Sequence, residues 1–308
     1  MMDIKPKIEQ ALKQLQRVIV GKDRSLRLAV CCLLARGHLL IEDLPGVGKT
    51  TLARALARSL GLDMHRIQFT SDLLPADILG GSIYDRESQS LVFHPGPIFG
   101  HIVLADEINR ATPKTQSALL ESMEEWQATI DGQTYPLPQP FFVIATQNPH
   151  HLVGTYPLPE SQLDRFLMRI ELGFPDREAE RKMLSGPDRR DLVDQIPSAF
   201  TTQEIVALQE TILNIHVSEP LLNYVLDILE ESRRNTNGNH GLSPRGGMAL
   251  QRAAQAWALM EGREMVLPED VQAVGPSVMA HRLKTSWDGS THSGAAIADQ
   301  FLKNIPLR

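Results

Sequence analysis

A glycine-rich turn carries the residue types best suited to chemistry in this chain. Residues 43–50 read DLPGVGKT and fit the phosphate-binding loop pattern G-x-x-x-x-G-K-[ST] except at the first glycine, where Asp43 stands. Residues 38–42 before the turn have the apolar character of a short buried strand, and apolar residues recur at helical spacing after it. A strand before the turn and a helix after it are the context in which this pattern binds nucleotides.

Each residue type in the turn has its own task in holding a triphosphate. Gly46 and Gly48 would let consecutive backbone N–H groups turn inward around a phosphate, and the following helix adds the positive end of its dipole. Lys49 would reach the β and γ phosphates, and Thr50 would offer a hydroxyl ligand to Mg²⁺. The turn therefore predicts binding of ATP or GTP and leaves hydrolysis open.

Two acids at a strand end supply what hydrolysis needs. Residues 102–107 read as a buried strand that ends in Asp106 and Glu107. Asp106 would hold Mg²⁺, directly or through water, and Glu107 would orient and deprotonate the attacking water. Because the pair follows a phosphate-binding loop, we interpret it as hydrolytic machinery.

Two further residues would act on the phosphates, each with an ordinary alternative. Asn148 follows the strand predicted at residues 141–146 and would bind the γ phosphate or position the water. On its own it is better explained as a turn-former before Pro149. Arg165 ends a helix-like stretch and would stabilise charge on the transferred phosphoryl group, from a neighbouring subunit if supplied in trans. A solvated salt bridge is the alternative for Arg165.

Arg245 lies at an unusual place for a cation. Ser243 and Pro244 form a helix-start signature, as N-cap and first helical residue. Arg245 therefore falls in the first turn, where the helix dipole disfavours positive charge. An anionic partner such as a γ phosphate would explain the placement.

Length and composition are those of an ordinary globular chain. The 308 residues suffice for about two domains, with 42% hydrophobic and 22% charged residues. The longest apolar run, at about residues 28–35, is far below the ~20 residues that a transmembrane helix needs, and the N-terminus lacks a signal-peptide pattern. Cys31 and Cys32 are the only cysteines, so we expect buried thiols and a cytoplasmic protein. The net charge of −6 argues weakly against nucleic acid as the main ligand.

The order of elements predicts an α/β core followed by an all-α region. Strand-like and helix-like segments alternate, which favours a mainly parallel sheet covered on both faces. We expect the nucleotide-binding core at residues 1–184, a polar linker at 185–199 and a helical domain at 200–308, with a loop at 235–239. Two hairpins, at residues 83–93 and 128–135, interrupt the alternation; structural decoration and contact with a substrate or neighbouring subunit are equally open for them.

Five motifs in a fixed order make the chain resemble the AAA+ ATPases and, within them, the MoxR family. They read EDLPGVGKT, LADEINRATPKTQSALLESMEE, FFVIATQNP, YPLPESQLDRF and GLSPRGG, and the resemblance extends from about residue 18 to about residue 283. Asp43 departs from the loop pattern at a position that is loose in this family. Leu242 and Gly246 stand where small alanine-like residues are usual, and Gly246 and Gly247 weaken the helix start by roughly 1 kcal/mol each against Ala.

The resemblance implies a three-layer αβα core with a mainly parallel five-stranded sheet and inserted β-hairpins, a helical lid, and a nucleotide in the cleft between core and lid. It assigns the family's roles to seven residues: Lys49 and Thr50 as Walker A, Asp106 and Glu107 as Walker B, Asn148 as sensor 1, Arg165 as the arginine finger and Arg245 as sensor 2. The residues expected to contact the nucleotide are Val20, Gly21, Pro45, Gly46, Val47, Gly48, Lys49, Thr50 and Thr51, and those expected to hold Mg²⁺ are Thr50 and Asp106. Val20 and Gly21 belong to an apolar patch before the turn that could pack on an adenine ring, and a simple core contact is nearly as good an explanation of that patch.

The resemblance also implies partners. Members form rings, often hexamers, whose ATP- and Mg²⁺-dependent cycle acts in a chaperone-like way on partner proteins, commonly ones with a von Willebrand factor A domain. In such rings both hairpins face the central pore or one ring surface, which favours the functional interpretation of the hairpins.

Three other functions compete with this one. A chelatase-type motor for metal insertion shares the hairpin insertions, but the MoxR-like motifs argue against it. A nucleic-acid motor would need basic hairpin tips, and residues 85–87 and 131–133 are not basic. A non-hydrolysing ATP switch is disfavoured by the presence of Glu107 and Arg165.

Overall fold

The computed structural model describes residues 4–148, 154–234, 241–283 and 294–305, and a parallel β-sheet lies at its centre. The strands are β1 (Leu39–Glu42), β2 (Met64–Gln68), β3 (Gly80–Asp85), β4 (Ser90–Pro95), β5 (Ile102–Asp106), β6 (Gln127–Ile130), β7 (Gln133–Pro136), β8 (Phe142–Gln147) and β9 (Met168–Ile170). The central sheet has five strands in the order β2-β5-β8-β1-β9, and every adjacent pair is parallel. The inner strands are apolar along almost their whole length because helices cover both faces.

Helices surround the sheet and build the C-terminal part of the chain. They are α1 (Ile4–Val18), α2 (Asp23–Leu34), α3 (Lys49–Leu60), α4 (Pro75–Leu79), α5 (Pro113–Glu125), α6 (Glu160–Leu163), α7 (Arg177–Ser185), α8 (Arg189–Asp194), α9 (Thr202–Ile212), α10 (Glu219–Arg234), α11 (Pro244–Met260), α12 (Pro268–Met279) and α13 (Gly294–Lys303), with a 3-10 turn at Ile108–Arg110. None of the helices described is long and apolar enough to cross a membrane. The loop expected at 235–239 lies outside the described residues.

Two hydrophobic cores lie on opposite faces of the sheet. Leu39 and Ile41 of β1 enter one core, and Leu40 between them enters the other, as the alternation of side chains along a strand requires. The first core combines α1, α2 and α3 with the helical C-terminal region, whose helix α11 contacts α2. The C-terminal helices therefore continue the same core rather than forming a separate one. The predicted α/β architecture with a five-stranded parallel sheet and a helical region after it is confirmed.

Residues 185–199, which we expected to be a linker, pack on the core instead. Helix α8 lies within them, contacts α3 and buries Val193. Beyond α8, the Ala199 N–H donates to the Ser59 carbonyl at 2.8 Å. The glycine and prolines of this segment suggested a linker, but its apolar residues bury surface against the core, and that burial decides the outcome.

Both predicted hairpins are present, and an aromatic contact joins them. In the β3–β4 hairpin Ile83 lies opposite Val92, and both side chains are exposed. Phe93 of this hairpin stacks on Tyr135 of the β6–β7 hairpin, with ring centroids 4.0 Å apart and an interplanar angle of 19°. Phe93 also meets Phe99 edge-on. The two hairpins thus share one aromatic contact at their bases.

Candidate active site

The glycine-rich turn connects β1 to α3 and holds its glycines in backbone conformations that other residues avoid. Gly46 has φ +83° and Gly48 has φ +97°, in the left-handed region. A Cβ built at either position would meet no atom within 4 Å. The glycines are therefore required by the turn itself, and the space beside them is open to a ligand. Lys49 and Thr50 follow as the first residues of α3.

Asp43, at the position of the missing first glycine, fastens the turn to the sheet. One carboxylate oxygen accepts the backbone N–H groups of Leu172 and Gly173, both at 2.6 Å, just beyond β9. The other accepts the N–H of Leu44 at 2.8 Å. The departure from the loop pattern thus has a structural purpose, because a glycine could not make these bonds.

Lys49 points back across the turn toward acidic groups. Its Nζ donates to the Asp43 carbonyl at 2.7 Å. Partial burial lowers the pKa of Lys49, while the charges of Asp43, Asp106 and Glu107 act in the opposite direction. The side chain therefore lies between the turn and the acids at the end of β5.

Thr146 of β8 fixes both acids at the carboxyl end of β5. Its hydroxyl donates to Asp106 Oδ1 at 2.6 Å and accepts the Glu107 backbone N–H at 2.9 Å. Arg66 Nη2 donates to the other Asp106 oxygen at 2.7 Å. Asp106 is buried by these contacts, and Glu107 takes a positive φ of +57° just beyond the strand.

The Glu107 carboxylate is held from β2 and is partly open to solvent. Gln68 Nε2 donates to Glu107 Oε2 at 3.0 Å, and Arg110 Nη1 lies 3.3 Å from the same oxygen. The roles of Gln68 and Thr146 were not predicted, although both residues lie at or next to strand ends on the edge where the acids were expected. Their position at the carboxyl ends of neighbouring parallel strands was the available signal.

Asn148 directly follows β8 at the same edge of the sheet. Strands β5 and β8 pair in parallel, with Ala105 opposite Ala145, so the residues beyond the two strands emerge side by side. Asn148 is buried. The structure therefore brings Asn148 to the edge that carries Lys49 and the acids.

A cavity of about 590 Å³ opens beside the turn, within the size range of small-ligand sites. The lining residues are Val18, Ile19, Val20, Lys22, Gly46, Val47, Gly48, Thr51, Phe174, Pro175, Glu180, Met183, Leu184, Asp188, Arg189 and Arg190. The predicted contact residue Val20 is among them, and Gly21 adjoins it with φ +73°. Besides the glycine-rich turn and Thr51, the lining comes from residues 18–22 and from residues 174–190. None comes from the described residues beyond 199, so within one subunit this cavity lies in the core and not between the core and the C-terminal helices.

The two arginines of the prediction lie at the other end of the sheet. Arg165 Nη2 is 2.8 Å from Glu124 Oε2, and Arg245 contacts Glu124 Oε1. They line a cavity of about 260 Å³ with His38, which directly precedes β1. The glycine-rich turn follows the opposite end of β1, about 13 Å further along for a four-residue strand. The structure thus brings Arg165 and Arg245 together and separates both from the turn of the same subunit.

Buried contacts hold the wall of this arginine cavity in place. Arg282, nearly inaccessible, donates to Asp164 Oδ1 at 2.6 Å and to the carbonyls of Asp164 and Phe166 at 3.0 and 2.7 Å. Ser243, the N-cap of α11, donates to Asp164 Oδ2 at 3.0 Å. These bonds tie the start of α11 to the segment that carries Arg165.

His38 ties the same end of the sheet to α5. Its Nδ1 accepts the Val143 N–H at 3.0 Å, and its Nε2 lies 3.2 Å from the Met123 carbonyl. Burial lowers the pKa of His38 to about 4. The ring is therefore neutral at physiological pH, with Nδ1 as acceptor and Nε2 as donor.

The turn, the acids and the parallel sheet are the features of the P-loop nucleotide-binding class, and comparisons with known proteins place the chain among the AAA ATPases. The family described as "ATPase family associated with various cellular activities (AAA)" matches residues 38–168, and the AAA lid domain matches residues 230–300. A crystal structure of a Cytophaga hutchinsonii protein assigned as an ATPase superposes with a TM-score of 0.88 at 34% identity, covering 99% of this chain and 96% of that one.

Relatives of similar length narrow the class further. The chain is 46% identical to the uncharacterized protein YeaC of Bacillus subtilis, over 91% of this chain and 88% of YeaC. It is 39% identical to Chaperone MoxR1 of Mycobacterium tuberculosis, over 97% of this chain and 80% of that protein. The chain belongs to the MoxR family of AAA+ ATPases.

Proposed function

We propose that this chain hydrolyses ATP in a site completed by a second copy of itself, and that the cycle remodels or matures a protein partner. One observation carries the proposal: Lys49 and the acids lie at one end of the sheet, while Arg165 and Arg245 lie at the other. A guanidinium acts on a phosphate only within hydrogen-bond distance. Arginines at the far end of a subunit therefore fit the phosphates of a neighbour's ATP.

Within one subunit the residues divide the work by chemistry. The backbone of Gly46 and Gly48 cradles phosphates, and Lys49 neutralises their charge. Asn148 contacts the γ phosphate from the end of β8. Glu107, oriented by Gln68, holds the attacking water and accepts its proton.

The oxygen groups present fit a magnesium ion. Thr50 and Asp106 would hold Mg²⁺, since a hydroxyl and a carboxylate are the hard ligands that this ion prefers. When bound, the ion supplies charge neutralisation to the phosphates. The Thr146 hydroxyl fixes the Asp106 carboxylate for this task.

The cavity beside the turn fits the remainder of the nucleotide. Its lining includes the apolar residues Val18, Ile19 and Val20, and Phe174, also in the lining, is an exposed aromatic residue. Apolar and aromatic walls suit a purine base. Pro45, Val47 and Thr51 complete the predicted contacts around the turn.

Assembly and partner follow from the same proposal. A site that needs a second copy favours a closed ring, for which we propose a hexamer. The client we propose is a protein with a von Willebrand factor A domain, as the MoxR family implies, and a relative named Chaperone MoxR1 supports a chaperone-like role. The exposed apolar residues of the β3–β4 hairpin, Ile83, Tyr84, Leu91 and Val92, offer a surface for such a client.

Glu107→Gln tests the function and identifies the client. The amide keeps the size of the side chain but accepts no proton, so we expect turnover to fall about 10²- to 10⁴-fold while ATP binding is retained. Each variant is incubated with a cell lysate and ATP. The clients are the proteins that Glu107→Gln retains and Lys49→Ala does not. Recovery of a protein with a von Willebrand factor A domain supports the proposal.

Two results would contradict parts of it. Undiminished turnover of Glu107→Gln removes the acid from the mechanism. Recovery of nuclease-sensitive nucleic acid or of a chelatase subunit keeps the ATPase and replaces the client.

A further inference from the structure

The arginine cavity contains two kinds of contact between arginine and carboxylate. The first joins Arg282 to Asp164, with the Arg282 side chain only 5% exposed and bonded to several carbonyls as well. The second joins Arg165 and Arg245 to Glu124. The exposed fraction of the side chain is 27% for Arg165, 46% for Arg245 and 32% for Glu124. The first contact is built into the fold, whereas the second is open to exchange with an incoming anion.

Glu124 binds each arginine through a different oxygen. Arg165 contacts Oε2, and Arg245 contacts Oε1. Within the described ranges, neither guanidinium has another acidic partner. The Glu124 carboxylate therefore holds Arg165 and Arg245 side by side, although their two positive charges repel each other. It lies where a larger anion could pair with both guanidinium groups.

The surroundings favour an anion of higher charge. Five arginines and two carboxylates line the cavity: Arg36, Arg165, Arg245, Arg252 and Arg282, with Glu124 and Asp164. Arg36 lies over the Trp126 ring, 5.4 Å from its centroid, and no carboxylate of the described chain pairs with Arg36 or Arg252. The positive charge of this cavity exceeds what Glu124 neutralises.

We propose that Glu124 is a positioning residue that occupies the place of a phosphate. In the isolated subunit its carboxylate holds Arg165 and Arg245 as a pair, and the phosphates of a neighbouring subunit's ATP displace it. The phosphate oxygens carry more negative charge than a carboxylate and accept more hydrogen bonds, so both arginines bind the phosphates in preference to Glu124. The inference rests on the proposed function, because it requires the arginines to act in trans.

This exchange has a measurable consequence for assembly. Each subunit that joins a neighbour gives up two ion pairs to Glu124 before its arginines reach phosphate. Removing the charge of Glu124 removes that competition and should make the ATP-bound assembly form at lower protein concentration. A residue with a merely structural role would not produce such a gain when it is substituted.

The test compares Glu124→Gln with Glu125→Gln, the adjacent exposed acid of α5, which forms no ion pair in the described structure. ATPase rate per subunit is measured from nanomolar to micromolar protein. We expect the concentration for half-maximal rate to fall about two- to tenfold in Glu124→Gln, with the plateau rate unchanged and Glu125→Gln matching the wild type. A curve for Glu124→Gln that matches Glu125→Gln, or one displaced to higher concentration or with a lower plateau, overturns the inference.

Sedimentation velocity gives a second measurement that does not depend on turnover. Glu107→Gln and Glu107→Gln/Glu124→Gln are compared with ATP, and the double variant should assemble at the lower concentration. If wild-type rate per subunit is independent of concentration and no ATP-dependent assembly is seen, completion by a second copy fails, and the inference fails with it. If the wild-type rate depends on concentration and ATP-dependent assembly is seen, but Glu124→Gln causes no shift, the proposed function stands and only the inference about Glu124 fails.

Discussion

The two ends of the central sheet differ in the chemistry they carry. At the carboxyl end, β1, β5 and β8 deliver a backbone turn, two acids and an amide, because parallel strands bring their ends to one edge. At the amino end, α11 and the segment before β9 deliver arginines that are bound to Glu124. One chain thus carries both halves of the hydrolytic site that we propose, and within one subunit the two halves lie apart.

The strongest test of this difference mixes two inactive variants. Arg165→Ala should lose about 10³-fold or more in ATPase rate, the effect of a missing trans arginine. Lys49→Ala should lose ATP binding. The two defects lie at opposite ends of the subunit. In a mixture, some interfaces therefore join the intact Lys49 of one variant to the intact Arg165 of the other, and ATPase activity should reappear.

The control for the mixture is Arg234→Ala, which removes an exposed arginine of α10 and should retain wild-type rate. If Arg165→Ala alone keeps its activity, or if the mixture stays inactive although both variants assemble, the two ends do not cooperate across subunits.

The amino end should also be the acid-sensitive one. His38 has a folded pKa of about 4 against an ordinary value of 6.5, so below pH 6.5 the unfolded chain binds a proton that the native ring refuses. The His38 contribution to stability is complete above pH 6.5 and declines as the pH falls toward 4, by about 3 kcal/mol in all. Urea unfolding between pH 7 and pH 4 measures it.

His38→Gln removes the titrating ring and should flatten this decline, although the variant starts from lower stability at pH 7. His94→Gln, on the exposed β3–β4 hairpin, should leave the slope unchanged. Equal slopes for His38→Gln and the wild type would show that acid acts elsewhere, with His281, whose pKa burial also lowers, as the next residue to test.

The smallest expected effect concerns how the carboxyl end is anchored. Asp43→Ala leaves the N–H groups of Leu172 and Gly173 without their acceptor, which should lower the free energy of unfolding by about 2 kcal/mol. Asp43→Asn keeps one acceptor oxygen and should lose less. Asp72→Ala removes an exposed acid and serves as the control; equal stability of Asp43→Ala and Asp72→Ala would deny the anchoring role.

The part of the site that follows local pattern was predictable from the sequence. Gly46, Gly48, Lys49 and the two acids of β5 belong to continuous segments in which strand, turn and helix follow each other. The parallel sheet places these residues at the carboxyl ends of its strands, and this location was also predicted. The structural role of Asp43 was not predicted, because its hydrogen-bond partners Leu172 and Gly173 lie beyond β9, far away in the chain.

The location of Arg245 could not be read from its neighbours. Its position in the first turn of α11 correctly indicated an anionic partner, but the partner in one subunit is Glu124. Where α11 begins is decided by long-range contacts, such as Ser243 with Asp164 and α11 with α2. The same holds for residues 185–199, whose few apolar side chains outweigh the glycine and prolines around them.

The stack of Phe93 on Tyr135 joins two insertions that are separate in the chain. Helix α5, which carries Glu124, continues through Trp126 directly into the β6–β7 hairpin, so the base of that hairpin follows closely in the chain on the carboxylate that contacts the arginines. A partner bound at either hairpin would therefore contact a structure that leads, through Tyr135 and α5, to the carboxylate between the two guanidinium groups.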